Sequence, residues 1–302
     1  MRKLVGLMLA LTLLVAACGD DDQGVSNSTR PAAGAFPATV RGTEIPDPPR
    51  RIVSLSATHT EVLYEIGAGP AIIGTDLFSD YPAAANETEK IDAFNLSVEA
   101  VAALDPDLVI LSFDPGDAVS GLAALGIPAV LFAAPGPATL EDVYSEWRDL
   151  GAATGHIQEA AALIDQVSRD IEDILAQKPQ MVRPFTYFLE LDSTLFTAGT
   201  GTLLDSVFGM LGLENIADPA DGSFPQLSPE YVIGADPDFV FLADTVCCGQ
   251  SAVTVAARPG WNQMTAVNNG DVIELDDSVV SRWGPRLVDL VRTISKEVYG
   301  VG

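Results

Sequence analysis

Glu99 and Glu230 hold the same place in a segment that occurs twice in the chain. Residues 96–111 read LSVEAVAALDPDLVIL and residues 227–242 read LSPEYVIGADPDFVFL, with nine of sixteen positions identical. Each copy opens with a Ser suited to cap a helix, places a Glu two residues later, runs through one short helix to Asp-Pro-Asp, and leaves in an apolar run of strand length. A capping box needs its acid three residues after the Ser, where it can reach back to the cap. At two residues the helix dipole favours the carboxylate but the cap does not claim it, so both acids are expected to point outward. Two matching outward carboxylates can engage two arginines of a partner with pseudo-twofold symmetry.

Other reactive side chains are few. The histidines are His59 and His156, and no Gly-x-Ser-x-Gly stands in the chain, so hydrolytic catalysis has little to work with. His59 falls in a β-α loop, where a ligand contact and a plain helix-start role are both open. Two separated histidines without a Cys-x-x-Cys give no protein-built transition-metal site. No Gly-rich phosphate cradle follows a strand. The chain is therefore expected to be no enzyme and to carry neither cofactor nor metal site of its own. A rival reading, an extracytoplasmic enzyme using the same cleft, requires a titratable pair with displaced pKa values inside it. Cys247 and Cys248 are adjacent. Neighbouring Cα atoms stand about 3.8 Å apart, closer than ordinary disulfides allow, and a vicinal bridge that stiffens a loop and a pair of free thiols both stay open.

The elements that position these groups alternate between strand and helix. Strands are expected at residues 52–55, 71–74, 108–112 and 129–132, with a helix over 58–66 between the first two. Helices follow over 139–150 and 156–177, split by Gly151 and Gly155. The second carries Leu163, Ile164, Val167, Ile171, Ile174 and Leu175 on one face and, at about 1.5 Å per residue, reaches roughly 30 Å. The pattern then restarts with a strand over 185–191, a helix over 202–211, the second Glu unit, a strand over 272–275 and a closing helix over 287–299. The expected fold is α/β: two lobes with parallel-rich sheets joined by a single long helix, with the ligand cleft between them. One long connector makes a restricted hinge, so any closure should be a small rotation.

In such sheets ligands sit beyond the carboxyl ends of the strands. The loops expected there hold Phe78, Asp80 and Tyr81, then Phe113, then Phe196 in the second lobe, and Arg282, Trp283 and Arg286 before the last helix. Aromatic walls with few polar anchors suit a large, flat or greasy ligand, and these residues, Asp80 apart, are the candidate ligand contacts.

Arg2 and Lys3 precede an uncharged apolar stretch from Leu4 to Ala17, the layout of a secretory leader and short for a membrane span. It ends Leu14-Val15-Ala16-Ala17-Cys18, which resembles the lipobox of bacterial lipoproteins. That resemblance implies lipidation of Cys18 and attachment to the outer face of a membrane. Residues 18–35 are polar and read as a flexible tether. Losing Arg2 and Lys3 with the leader leaves 14 basic against 42 acidic residues, a net of −28, which argues against nucleic acid as a partner. The expected organisation is a leader over 1–17, a tether over 18–35, a first lobe over 36–137, a helical connector over 138–180 and a second lobe over 181–302, in a monomer.

From about Phe36 onward the chain resembles the substrate-binding proteins of ABC importers for ferric siderophores, haem and cobalamin. The resemblance rests on Pro49-Arg50-Arg51-Ile52-Val53-Ser54-Leu55-Ser56, Ser79-Asp80-Tyr81-Pro82, the paired Glu units, Phe196-Thr197-Ala198-Gly199, Leu213-Glu214-Asn215-Ile216 and Trp283-Gly284-Pro285-Arg286, in that order. It implies an extracytoplasmic carrier that delivers a bulky metal chelate to an ABC permease dimer, on whose arginines Glu99 and Glu230 dock. Tyr81 and Phe196 are similar to the cobalamin binders. Those proteins carry a Trp just before the first Glu unit, where this chain has Ala93-Phe94, and their C-terminal aromatic corresponds to Trp283 only with a shift. A corrinoid is favoured slightly over a ferric siderophore or haem.

Overall fold

Two parallel sheets, one in each lobe, position everything that follows. The computed structural model describes residues 36–134 and 136–301. The leader and tether expected over residues 1–35, with Cys18, lie outside the described residues.

The first lobe opens with an antiparallel hairpin, β1 (Ala38–Val40) and β2 (Thr43–Ile45), then runs β3 (Ile52–Leu55), α1 (Ala57–Glu65), β4 (Ile72–Asp76), β5 (Glu89–Ile91), α2 (Val98–Ala103), β6 (Leu108–Leu111), α3 (Ala118–Ala124) and β7 (Ala129–Leu131). Its sheet has the order β5-β4-β3-β6-β7 with every pairing parallel. Helices α4 (Leu140–Thr154) and α5 (Ile157–Ala176) follow and pack on each other. The second lobe runs β8 (Phe185–Glu190), α6 (Leu203–Met210), β9 (Leu213–Asn215), α7 (Pro229–Ala235), β10 (Phe239–Leu242), α8 (Thr245–Cys248), α9 (Ala252–Ala256), α10 (Thr265–Asn269), β11 (Val272–Glu274), α11 (Asp277–Val280) and α12 (Leu287–Tyr299). Its sheet, β11-β10-β8-β9, is also parallel throughout. β3, β6 and β10 are buried along their whole length, which is why β6 and β10 are continuous apolar runs rather than alternating ones and β3 departs from that only at Ser54.

The long helix α5 buries Leu163, Ile164, Val167, Ile171 and Ile174 against α4 and α12. One buried cluster extends from Ile52 and Leu108 of the first sheet through Trp147 and Ile171 to Tyr187 and Ile294 of the second lobe. The lobes thus share a core, which restricts any hinge to small rotations. Gly151 does not end a helix as expected. It lies inside α4, where an added Cβ would stand 2.7 Å from Cβ of Ala160, so it is the point of closest approach of α4 to α5. Gly155, at φ 79°, makes the break alone.

The duplicated segment builds the same device twice. Ser97 Oγ accepts the Ala100 N–H at 3.1 Å, and Ser228 Oγ accepts that of Tyr231 at 3.2 Å. Asp105 and Asp236 end the two helices in the left-handed region, at φ 52° and 46°, a conformation that Asp tolerates better than most residues. The second Asp of each Asp-Pro-Asp then holds the start of the neighbouring strand. Asp107 accepts the N–H groups of Arg50 and Arg51 ahead of β3, and Asp238 accepts that of Thr186 in β8 while pairing with Arg183.

Candidate functional site

Each sheet reverses its winding once, between β3 and β6 in the first lobe and between β8 and β10 in the second. Neighbouring connections leave such a point in opposite directions and open a crevice beyond the carboxyl ends of the strands. At the first-lobe point Leu55, Ser56 and Ala57 after β3, with Ser112 and Phe113 after β6, line a cavity of about 280 Å³. Asp76, Phe78, Ala93 and Phe94 extend its wall along the sheet, and Ser281, Arg282 and Trp283 reach it from the segment between α11 and α12.

Three consecutive strands each deliver one phenylalanine to this wall. Phe78 follows β4, Phe94 follows β5 and Phe113 follows β6. Phe94 stacks on Phe113 with centroids 5.1 Å apart and meets Phe78 edge to face at 5.9 Å. Phe78 and Phe94 are 58% and 64% exposed, an arrangement unlike a core and suited to an apolar ligand face. Phe113 is half-buried against the first-lobe core. Phe94 was not among the expected contacts because β5, Glu89-Lys90-Ile91, has a single apolar residue and does not read as a strand. Beyond β8, Phe196 and Phe224 are exposed on a short antiparallel pairing centred on Phe196 and Gln226.

The arginines do not stand as free cations, since each is paired with carboxylates of this chain. Arg282 donates to Glu61 at 3.0 Å and to Asp80 at 2.7 Å. Arg286 donates to both oxygens of Glu61 and lies 4.4 Å above the Tyr81 ring. Both guanidiniums are largely withdrawn from water, and a charge in that position requires a partner. Pairing with Glu61 raises the Arg286 pKa further. Tyr81 is correspondingly a platform for Arg286 as well as an exposed ring of the cleft loop. Trp283 is wedged between the lobes: its indole N–H donates to Glu146 at 2.7 Å and its carbonyl accepts from Trp147 at 3.2 Å, leaving part of the ring to line the cavity.

His59 stands in the first turn of α1 and is not among the residues lining the cavity. It is fully buried, with Nε2 3.3 Å from Glu146 and the ring 4.3 Å from that of Phe132. Among the described residues no group of three or more His, Cys, Asp or Glu is arranged to hold a metal ion.

At the second-lobe switch point Glu190, Asp244 and Arg258 form a buried triad. Arg258 donates to both oxygens of Glu190 at 2.6 Å and stacks over Trp261. Asp244 is fully buried and its carboxyl oxygens accept no N–H or O–H from a neighbour, while Glu190 is close enough to share a proton with it. Burial first, and then the charge of Glu190, push Asp244 up to about 7. The next turn, α8, carries Cys247 and Cys248 joined as a vicinal disulfide, and Asp277 accepts the N–H groups of Thr245, Val246 and Cys247 beneath it.

Glu99 and Glu230 are both exposed, each in the first turn of its helix. Glu99 is not wholly unclaimed, since the Ser97 hydroxyl donates to it at 3.1 Å.

Residues 52–279 match the periplasmic binding protein family. The uncharacterised ABC transporter substrate-binding lipoprotein YvrC of Bacillus subtilis is 27% identical over 315 residues, covering 99% of this chain and 98% of that protein. The vitamin B12-binding protein of Pectobacterium atrosepticum is 26% identical over 258 residues, covering 83% of this chain and 88% of that protein. Among solved structures, the periplasmic heme-binding protein RhuT of Roseiflexus superposes with a TM-score of 0.74 at 26% identity, over 83% of this chain and 98% of that one.

Proposed function

The chain belongs to the periplasmic binding protein family, and from that premise we propose that it is the lipid-anchored, extracytoplasmic receptor of an ABC importer. It captures a bulky metal chelate, a cobalamin-type corrinoid ahead of a ferric siderophore, and delivers it to the membrane permease. The observation that carries this reading is the phenylalanine row of exposed Phe78 and Phe94 with half-buried Phe113 at the switch point of a sheet, where binding requires no covalent chemistry and a broad apolar face has somewhere to lie. Glu99 and Glu230 supply one carboxylate per lobe for arginines of the permease, and Cys18 supplies the anchor.

A haem carrier is the second reading, supported by the likeness to the haem-binding Roseiflexus protein. The absorption spectrum of protein purified from its native source tests both, because corrinoids, ferric siderophores and haem have different visible bands. Titration of the ligand-free protein with cyanocobalamin, a ferric hydroxamate and haemin then measures the preference. Failure of every chelate to bind would refute the receptor role.

A further inference from the structure

We propose that the cleft selects its cargo by charge, accepting electroneutral or cationic metal chelates and rejecting anionic ones, because Arg282, which lines it, and Arg286 and Arg258 are each already paired with a carboxylate of this chain. The inference rests on the carrier reading above and deepens it.

Proteins hold anions in partly dry sites with guanidinium forks whose N–H groups are free to donate in pairs. Here each of the three forks already grips a carboxylate of this chain. Arg282 gives one nitrogen to Glu61 and Asp80 and the other to the Phe78 carbonyl. Arg286 gives its Nε and Nη2 to Glu61 and its Nη1 to Ser278. Arg258 grips both oxygens of Glu190 and also donates to Gln250. Two carboxylates balance two guanidiniums on the first-lobe side, Glu61 and Asp80 against Arg282 and Arg286. On the second-lobe side Glu190 balances Arg258 and Asp244 adds a further acid. An anionic chelate entering this cleft leaves its water and meets, among the arginines described, guanidiniums already paired with carboxylates, so its charge is poorly repaid. The field of a mature chain at −28 adds to the barrier at long range. An uncharged chelate forfeits none of this and gains the phenylalanine wall.

The test is a fluorescence titration of the mature chain with four probes: cyanocobalamin, which is neutral; ferrioxamine B, a cationic ferric hydroxamate; haemin, which carries two propionates; and a ferric tris-catecholate, which is trianionic. Cyanocobalamin or ferrioxamine B is expected to bind at least about 100-fold more tightly than either anionic probe, the equivalent of about 2.7 kcal/mol. Asp80→Asn, at a side chain 60% exposed, releases part of Arg282 and is expected to raise the affinity for haemin or the tris-catecholate on the order of tenfold. Haemin or the tris-catecholate binding as tightly as cyanocobalamin and ferrioxamine B overturns charge selection and leaves the carrier reading standing. Unchanged anion affinity in Asp80→Asn assigns the discrimination to shape and overturns it as well. Binding of none of the four overturns both.

Discussion

Glu61 and Arg286, 225 positions apart, meet in a part-buried ion pair with Glu61 Oε1 2.5 Å from Arg286 Nη2. Glu61 stands on α1 of the first lobe and Arg286 immediately ahead of α12, so the contact ties the first helix of one lobe to the last helix of the chain. Gly284 makes the approach available. A Cβ there would lie 2.9 Å from Glu61 Oε2, which gives the glycine of the Trp-Gly-Pro-Arg motif a packing reason.

Removing the shared acid should therefore cost more than removing a peripheral one. Glu61→Gln leaves Arg286 without its carboxylate and Arg282 with Asp80 alone, and is expected to destabilise the fold by about 3–5 kcal/mol. Asp80→Asn takes only the exposed partner of Arg282 and is expected to cost under about 1 kcal/mol. Urea unfolding of both variants checks the order, and equal losses would remove Glu61 from its place at the centre of the cluster.

The two-lobe α/β architecture was legible because β6 and β10 are continuous apolar runs, β3 and β8 are largely apolar, and the duplicated segment repeats the helix-to-strand spacing. The hairpin β1–β2 and strands β5 and β9 were not legible, since none has two adjacent apolar residues, unlike the equally short β7 and β11, and each owes its conformation to a paired neighbour. Phe94 was lost with β5. Arg282 and Arg286 were assigned to the cleft by their loop, but their partner Glu61 reads in sequence as one more polar residue of an amphipathic helix. Only the folded chain brings it to them.

The Asp244 and Glu190 pair predicts a pH dependence with a definite sign. Unfolded, Asp244 titrates near its ordinary value of 3.8, and in the fold near about 7. Between those limits the folded state holds more protons, so the contribution is complete at the acid end and is lost as pH rises through about 7. Asp244→Asn keeps a hydrogen-bond donor toward Glu190 at every pH. Its melting temperature should exceed that of the parent at pH 8, and the gap should shrink by pH 5. A gap independent of pH would mean that Asp244 does not titrate in this range.

Phe94→Ala should weaken chelate binding without weakening the fold. The ring is 64% exposed and touches only Phe78 and Phe113 among aromatic side chains within the described residues. Loss of its stacking face is expected to lower affinity about tenfold, or about 1.4 kcal/mol, with unfolding midpoints unchanged. Phe113→Ala, at a half-buried ring, should lower both. A Phe94→Ala protein with full affinity for every probe would move the ligand away from this wall.

Glu99 and Glu230 offer the sharpest separation of capture from delivery. Neither lines the cavity, and both are exposed on short helices whose Ser caps persist without them. Glu99→Ala with Glu230→Ala should leave chelate affinity and stability at the parent level while uptake by cells carrying the cognate permease falls to background. Each single variant should retain one anchored lobe and give intermediate uptake. Because the acids are proposed to meet arginines, reversing the charge at both positions with Glu→Arg should inhibit no less than alanine, and opposing Arg→Glu changes in the permease should restore transport. Normal uptake by the double alanine variant would place the docking surface elsewhere on the two lobes.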